Sequence, residues 1–273
     1  MSKTENIDEV LEFYENGAEI NRLERGLGII EAARTKEILS RYVKPGMTVY
    51  DVGGGVGYYS NWLAGLGCEV TLFELAPSAV AYAKSHQTHP YQAFVADARF
   101  LPAEDASCDV LLLMGPLYHL LGRENRLQAI QEALRVLRPG GLLMAAGISK
   151  FSSATWALST YRTANELIDD EVYMEMLRKE ITTGEHHRPE KYPNMIAQAY
   201  FHTPKELAAE LTGCVFTMQE TLAVEGCISF TTDLNEKWED PAARERLLEL
   251  LRLTESQPSL LGFSPHFLAV ARK

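Results

Sequence analysis

From residue 47 onward, short apolar runs suited to strands alternate with stretches of helical spacing. That is the pattern of a mostly parallel sheet covered on both faces. Thr48–Val52 and Glu69–Glu74 read as the first two strands, with a helix from about Tyr58 between them. A helix around Ser78–Lys84 leads to a short third strand near Ala93–Ala96. The fourth strand, Asp109–Met114, is unbroken apolar sequence after its first residue, as suits a strand buried on both faces. Leu127, Ile130, Leu134 and Leu137 then share one face of a helix. Pro139-Gly140-Gly141 is expected to stop that helix and turn the chain into a fifth strand, Leu142–Ala146. Cys214–Thr221 and His266–Ala271 read as the last two strands.

Thr203-Pro204-Lys205-Glu206 carries a cap, a proline suited to the first helical position and an acid three residues on, so a helix should start there. Asp240-Pro241 opens another. Two regions fall outside the alternation. Residues 1–46 look helical, with Ile30, Ala33 and Ile38 on one side. Residues 149–200 form a long, largely helical insertion containing Trp156, Tyr161, Tyr173, Met174 and Met176. The expectation is an α/β, doubly wound, mostly parallel seven-stranded Rossmann-like sheet. Residues 1–46 would be a helical cap, 47–148 the ligand-binding core, 149–200 an inserted lid, and 201–273 the rest of the core.

Composition adds limits. The 273 residues are 46% hydrophobic and 23% charged, an ordinary globular mixture. A net charge of −11 argues against a nucleic-acid partner, because phosphate binding needs clustered Lys and Arg. The densest basic stretch, Arg178–Lys191, is interleaved with Glu180, Glu185 and Glu190 and reads as solvated. The cysteines Cys68, Cys108, Cys214 and Cys227 form no C-x-x-C pair, and no histidine completes a metal spacing, so free thiols and no metal are expected. The N-terminal residues lack a leader pattern and no apolar run reaches membrane-spanning length, so a cytoplasmic protein without a membrane partner is expected. Nothing in the sequence indicates an oligomeric state.

The strongest chemical signal is Asp51-Val52-Gly53-Gly54-Gly55-Val56-Gly57, between a strand and a helix. Glycines there let a ligand approach the main chain, and the helix start presents free N–H groups. Alone, a glycine-rich turn of this kind is weak evidence for any one ligand. Its spacing is D-x-G-x-G-x-G, not the G-x-G-x-x-G of the dinucleotide fingerprint. Glu74 then ends the second strand, where a carboxylate can accept from both hydroxyls of a ribose. Asp97 follows the third, where a carboxylate can accept from an adenine amino group. Three acids at three consecutive strand ends converge where ligands sit in such sheets.

With these residues the stretch from Met47 to Ile148 resembles the class I S-adenosylmethionine-dependent methyltransferases, in their small-molecule branch. The resemblance implies S-adenosyl-L-methionine as cofactor and S-adenosyl-L-homocysteine as product. It places Gly53 and Gly55 by the methionine part, Glu74 by the ribose, Asp97 and Ala98 by the adenine, and Leu75 flanking the ring. Met114 should border the cofactor, and Asp51 should fix the glycine loop or meet the methionine amino group. Leu75, Ala98 and Met114 read equally as core residues. Tyr14 and Arg22 sit where resembling enzymes fold a helix over the cofactor, and Arg22 reads either as a methionine-carboxylate partner or as a surface ion pair.

Methyl transfer from a sulfonium is an in-line displacement that mostly needs alignment and exclusion of water. The segment Gly115-Pro116-Leu117-Tyr118-His119-Leu120, beside the transferring methyl in the family, departs from the Asn/Asp-Pro-Pro-Tyr of enzymes acting on DNA-base or glutamine amino groups. His119 reads as a general base or as a hydrogen-bonded structural residue, and Tyr118 as a pocket wall or catalyst. Tyr200 and His202, at the end of the insertion, are expected to point back into the site, with the N-terminal segment and the insertion forming the lid. His266, inside a strand, reads as structural. The expected function is methylation of an O or N atom of a small molecule. A peptide or protein terminal amine, a nicotinamide-dependent oxidoreductase and a non-catalytic cofactor-binding module are the alternatives.

Overall fold

The computed structural model describes residues 7–17, 19–160, 162–163 and 166–273, with only the backbone of Ile7 and Asp8. Residues 1–6 of the expected cap and Tyr161 of the insertion lie outside them. Seven strands form one sheet: β1 Thr48–Val52, β2 Glu69–Glu74, β3 Gln92–Val95, β4 Cys108–Leu113, β5 Leu137–Ile148, β6 Thr217–Ala223 and β7 His266–Arg272. Their order is β3-β2-β1-β4-β5-β7-β6, parallel except for β7, which pairs antiparallel with both β5 and β6. The order reverses between β1 and β4, and ligands of such sheets bind at that switch, beyond the carboxyl ends of the strands. β4 is buried along nearly its whole length because helices cover both faces.

Twelve helices α1–α12 surround the sheet among the described residues. In chain order, α1 is Ile7–Glu15, α2 Leu27–Tyr42, α3 Tyr58–Gly65, α4 Pro77–His86, α5 Pro116–His119 and α6 Arg123–Val136. Then come α7 Ser152–Thr160, α8 Glu171–Thr183, α9 Pro204–Gly213, α10 Leu234–Glu239, α11 Pro241–Thr254 and α12 Pro258–Leu261. α9 starts with the expected capping box, Thr203 Oγ1 accepting from Glu206 N and Glu206 accepting from Thr203 N. α11 starts at Asp240-Pro241, as expected. None of the helices is long and apolar enough to cross a membrane.

Three local expectations are corrected. α6 buries Arg126, Ala129, Ile130, Ala133 and Val136; of the expected stripe Ile130 is buried, while Leu127 and Leu134 are only half-buried. The small alanines let the helix sit close to the sheet, and Leu137 belongs to β5. Pro139-Gly140-Gly141 does not stop the helix, which has already ended at Val136; those residues lie within β5, with Gly140 at φ +78°. In α2 the buried face holds Ile30, Arg34, Thr35, Ile38 and Leu39, while Ala33 is exposed. Arg34 reaches the core side because Glu255 and Glu37 meet its guanidinium there.

Among the described residues of 149–200, Ile196 and Ala199 pack against Ile148, Phe201 and Tyr118, while others close a cluster of their own. Ala157, Leu167, Tyr173, Met176 and Leu177 form a separate apolar cluster, and Glu185–His186 pairs with Ala199–Tyr200 as a small antiparallel ribbon. Trp156 stays 41% exposed.

Candidate active site

β1 and β2 end side by side, and the chain leaves β1 through the glycine loop. Gly53 N donates to the Phe73 carbonyl at 2.7 Å, which fixes the start of the loop against β2. Gly53 has φ +74°, and a Cβ there would lie 2.4 Å from Pro116 Cδ. A Cβ on Gly54 would fall 2.4 Å from the Asp51 carboxylate. Both positions therefore exclude any side chain.

Asp51 is fully buried. Its Oδ2 accepts from Ser60 Oγ at 2.7 Å, while Oδ1 has no hydrogen-bond partner. Burial, and secondarily the charge of Glu74, push its pKa up to about 6 against the Ser60 hydrogen bond. Glu74 accepts from Gly55 N through Oε2 and from Ala76 N through Oε1, both at 2.9 Å. Burial raises its pKa although backbone donors favour the charged form. Asp97 is clasped by Arg99, with Nη2 at 2.6 Å from Oδ2 and the Arg99 N–H at 2.9 Å from Oδ1. Burial pushes Asp97 up, but the Arg99 bonds outweigh it and hold the carboxyl below its usual range.

These residues line a cavity of about 690 Å³, a size suited to a small ligand. All ten residues expected at the cofactor line it: Tyr14, Arg22, Asp51, Gly53, Gly55, Glu74, Leu75, Asp97, Ala98 and Met114. Tyr118 and His119 line it as well. The unpaired Asp51 oxygen and the side-chain-free glycine loop are features that a ligand's donor group and close approach would satisfy.

The cover comes from the N-terminal segment. Val10, Leu11, Tyr14, Glu19 and Arg22 line the cavity, whereas none of the described residues of 149–200 does. This corrects the expected lid. The insertion instead braces the cover: Arg188 pairs with Glu9 and lies over the Phe13 ring. Arg22 is engaged at every nitrogen, with Nε on Glu19 and Nη1 and Nη2 bidentate on Glu31 at 2.6 and 2.9 Å.

His119 Nε2 lies 2.6 Å from Tyr14 Oη, and Nδ1 lies 3.5 Å from the Gln198 carbonyl. Nδ1 faces an acceptor and so carries the proton, leaving Nε2 to accept from the tyrosine. Burial pulls the His119 pKa down to about 4, so the ring is neutral at physiological pH. The unfolded chain titrates near 6.5 and therefore binds the extra proton first as pH falls. The stability tied to neutral His119 is full above about 6.5 and is lost as pH falls through about 4. We expect His119→Gln to lose less stability than the wild type between about pH 7 and pH 5 in urea unfolding. Equal losses would contradict the assignment.

His202 and Tyr200 do not line the cavity, which corrects a second expectation. His202 is completely buried, with Nε2 3.4 Å from Glu210 Oε2, and Glu210 is held chiefly by Arg126 at 2.8 Å. Tyr200 stacks under the same guanidinium, 3.8 Å from its carbon. The β-like pairing of His202 with Ser149 turns its ring toward α9, away from the cavity.

The sequence reading missed His266, which lines the cavity. The signal lay in strand direction. β7 runs antiparallel, so its first residue stands opposite Ile148, the last residue of β5, at the ligand edge of the sheet. His266 Nδ1 is 2.7 Å from Glu225 Oε1, and its N–H is 2.9 Å from Glu225 Oε2. Glu31, Glu225 and His266 are the group among the described residues whose ligand-type atoms lie within 4.8 Å of one another, but Arg22 already occupies both oxygens of Glu31.

Comparison with known proteins agrees with this geometry. Residues 50–145 match the family model described as a methyltransferase domain. The ubiquinone biosynthesis O-methyltransferase of Xanthomonas campestris pv. campestris (strain B100) is 27% identical over 203 residues, covering 72% of this chain and 74% of that one. The mouse probable tRNA methyltransferase 9B is 34% identical over 106 residues, covering 37% of this chain. The match spans only 22% of that longer relative. A Methanosarcina mazei structure described as an S-adenosylmethionine-dependent methyltransferase superposes with a TM-score of 0.58 at 20% identity, covering 86% of this chain and 96% of that one.

Residues 50–145 thus carry a methyltransferase domain, and the seven-stranded sheet around them is the Rossmann-like fold of S-adenosylmethionine-dependent methyltransferases. The chain's cofactor is S-adenosylmethionine.

Proposed function

We propose that the protein moves a methyl group from S-adenosylmethionine to an O or N atom of a small molecule. The observation that carries this reading is the lining of the cavity: besides the glycine loop and its acids it includes the aromatic and aliphatic side chains of Tyr59, Tyr118, Ala146, Val224 and Leu268. An extended acceptor strand would need a basic track, and the chain's net charge of −11 argues against one. The likeness to a tRNA methyltransferase name covers 37% of the chain and leaves this end of the question to experiment.

In this reading Gly53 and Gly55 let the methionine part approach the main chain, and the unpaired Asp51 oxygen meets its ammonium group. Glu74 takes the ribose hydroxyls with the lone pairs left free by Gly55 and Ala76. Asp97 and Ala98 hold the adenine edge, Leu75 and Met114 flank the cofactor, and Tyr14 closes over it. When bound, S-adenosylmethionine supplies an electrophilic methyl. The acceptor's lone pair forms the new bond to carbon while the carbon–sulfur pair stays with sulfur, so any acceptor proton must also leave. The chain contributes alignment and a dry wall. Tyr118 is fixed by its hydroxyl, which donates to the Met114 carbonyl at 3.2 Å, and burial raises its pKa so that it stays protonated. Neutral His119 keeps Tyr14 in place.

The test is formation of S-adenosylhomocysteine with a panel of phenols, carboxylic acids and amines, run beside transcribed tRNA. Turnover on a small acceptor supports the reading. Turnover confined to tRNA would overturn it.

A further inference from the structure

The cavity lining includes a histidine that the fold holds in place and the reading above does not use. His266 is gripped on two sides by a single buried carboxylate, that of Glu225, which is 1% exposed and accepts from both the His266 backbone N–H and Nδ1. Glu225 is itself set by its loop: Ser264 Oγ accepts from Glu225 N at 3.2 Å and from Gly226 N at 2.9 Å. The ring's rotation is thereby fixed. Nδ1 is spent on Glu225, with Glu31 Oε2 3.9 Å beyond. Nε2 has no protein partner among the described residues, on a side chain that is 26% exposed and lines the cavity beside Val224 and Leu268.

The nearby charges divide cleanly. Glu31 is neutralised by Arg22, and Glu225 by the histidine itself. Burial pulls His266 down, but Glu225, then Glu31, outweigh it against the opposing charge of Arg22, and the imidazole is pushed up to about 9. At neutral pH the ring is therefore an imidazolium. Its one free donor belongs to a ring that lines the cavity, whose wall also includes Tyr59, Val224 and Leu268.

We propose that His266 is a catalytic residue that receives the methyl acceptor, and that the acceptor presents an anionic oxygen, a phenolate or carboxylate, to Nε2–H. This rests on the methyltransferase reading above and narrows it to oxygen acceptors. The acceptor gives its proton to solvent before it docks. The oxygen then holds the hydrogen bond from Nε2 with one lone pair and forms the bond to the methyl carbon with another. The bond between that carbon and sulfur breaks with its electron pair going to sulfur, and His266 keeps its proton throughout. The product ether or ester is neutral at that oxygen and loses the ion pair, which favours release.

Two measurements on the full chain test this. In the first, 15N-histidine NMR follows the His266 ring through pH 6–10. We expect imidazolium signals at pH 7 that titrate near 9 in the wild type and at least one unit lower in Glu225→Gln. A ring that is neutral at pH 7 overturns the proposal. So does specific broadening of these signals by micromolar Mn²⁺, because the three side chains would then hold a metal ion.

In the second, protein saturated with S-adenosylhomocysteine is titrated with 4-nitrophenol and read at the phenolate absorbance band. We expect the bound phenol to ionise about one unit below its value in water, and His266→Gln to abolish that shift while changing S-adenosylhomocysteine affinity less than about twofold. An unshifted or absent phenolate signal in wild-type protein that binds S-adenosylhomocysteine overturns the proposal, as does an unchanged shift in His266→Gln. Wild-type protein without affinity for S-adenosylhomocysteine instead removes the underlying cofactor reading, and the calorimetric trace of the same samples separates the two failures.

Discussion

Gly53→Ala is expected to weaken S-adenosylhomocysteine binding about 100-fold in a protein that still folds. Two independent penalties meet at this residue. Its φ of +74° is closed to alanine at a cost of about 1–2 kcal/mol. The new Cβ would also stand 2.4 Å from Pro116 Cδ and 2.6 Å from Cγ, an overlap that costs about 1–3 kcal/mol to relieve. Relief can come only by moving the glycine loop or Pro116, and Pro116 starts the short helix α5 that carries Tyr118 and His119. Both sides of the cavity then shift together. A sum near 3 kcal/mol is about two decades of affinity. Gly213→Ala is the control, since nothing lies within 4 Å of its added Cβ and its φ is not positive. Calorimetry with both variants checks this, and equal affinities would contradict the role given to the loop.

Glu74→Ala should lower both stability and affinity. In the folded protein this buried carboxylate satisfies the N–H groups of Gly55 and Ala76. Removing it strands two buried donors, at about 1–3 kcal/mol each. The expected loss is about 2–6 kcal/mol in urea unfolding, with cofactor affinity reduced more than tenfold because the ribose partner goes with it. Glu74→Gln keeps one acceptor and turns an amide N–H toward the other donor, so its loss should fall between alanine and wild type. If Glu74→Ala unfolds at the same urea concentration as the wild type, the carboxylate is not holding the loop.

What the sequence disclosed and what it hid divide along a physical line. The strands β1 and β2 were readable to the residue because their side chains alternate or run apolar between glycine-rich stops, and a strand end fixes where its last side chain can go. That is why Glu74 and Asp97 could be placed together before any coordinates. The neighbours of those carboxylates were not readable. Arg99 on Asp97 and Arg22 on Glu31 depend on rotamers of long side chains. Periodicity found the helix α6 but chose the larger leucines over the alanines that pack against the sheet. The insertion's aromatic content suggested a lid, yet Tyr173 closes a separate core there with Met176 and Leu177. His202 and His266 were both read from position in the chain, and both readings reversed. The first is turned into the Arg126–Glu210 ion pair, while the second stands at the ligand edge because its strand runs backward. Pairing direction is a long-range property, and no local pattern around His266 carries it.

The most direct test of the account is isothermal titration of the purified chain with S-adenosylhomocysteine, repeated with Gly53→Ala. The account predicts saturable one-to-one binding by the wild type and an affinity about 100-fold lower in the variant. An absence of binding heat with both S-adenosylmethionine and S-adenosylhomocysteine across several temperatures would contradict it.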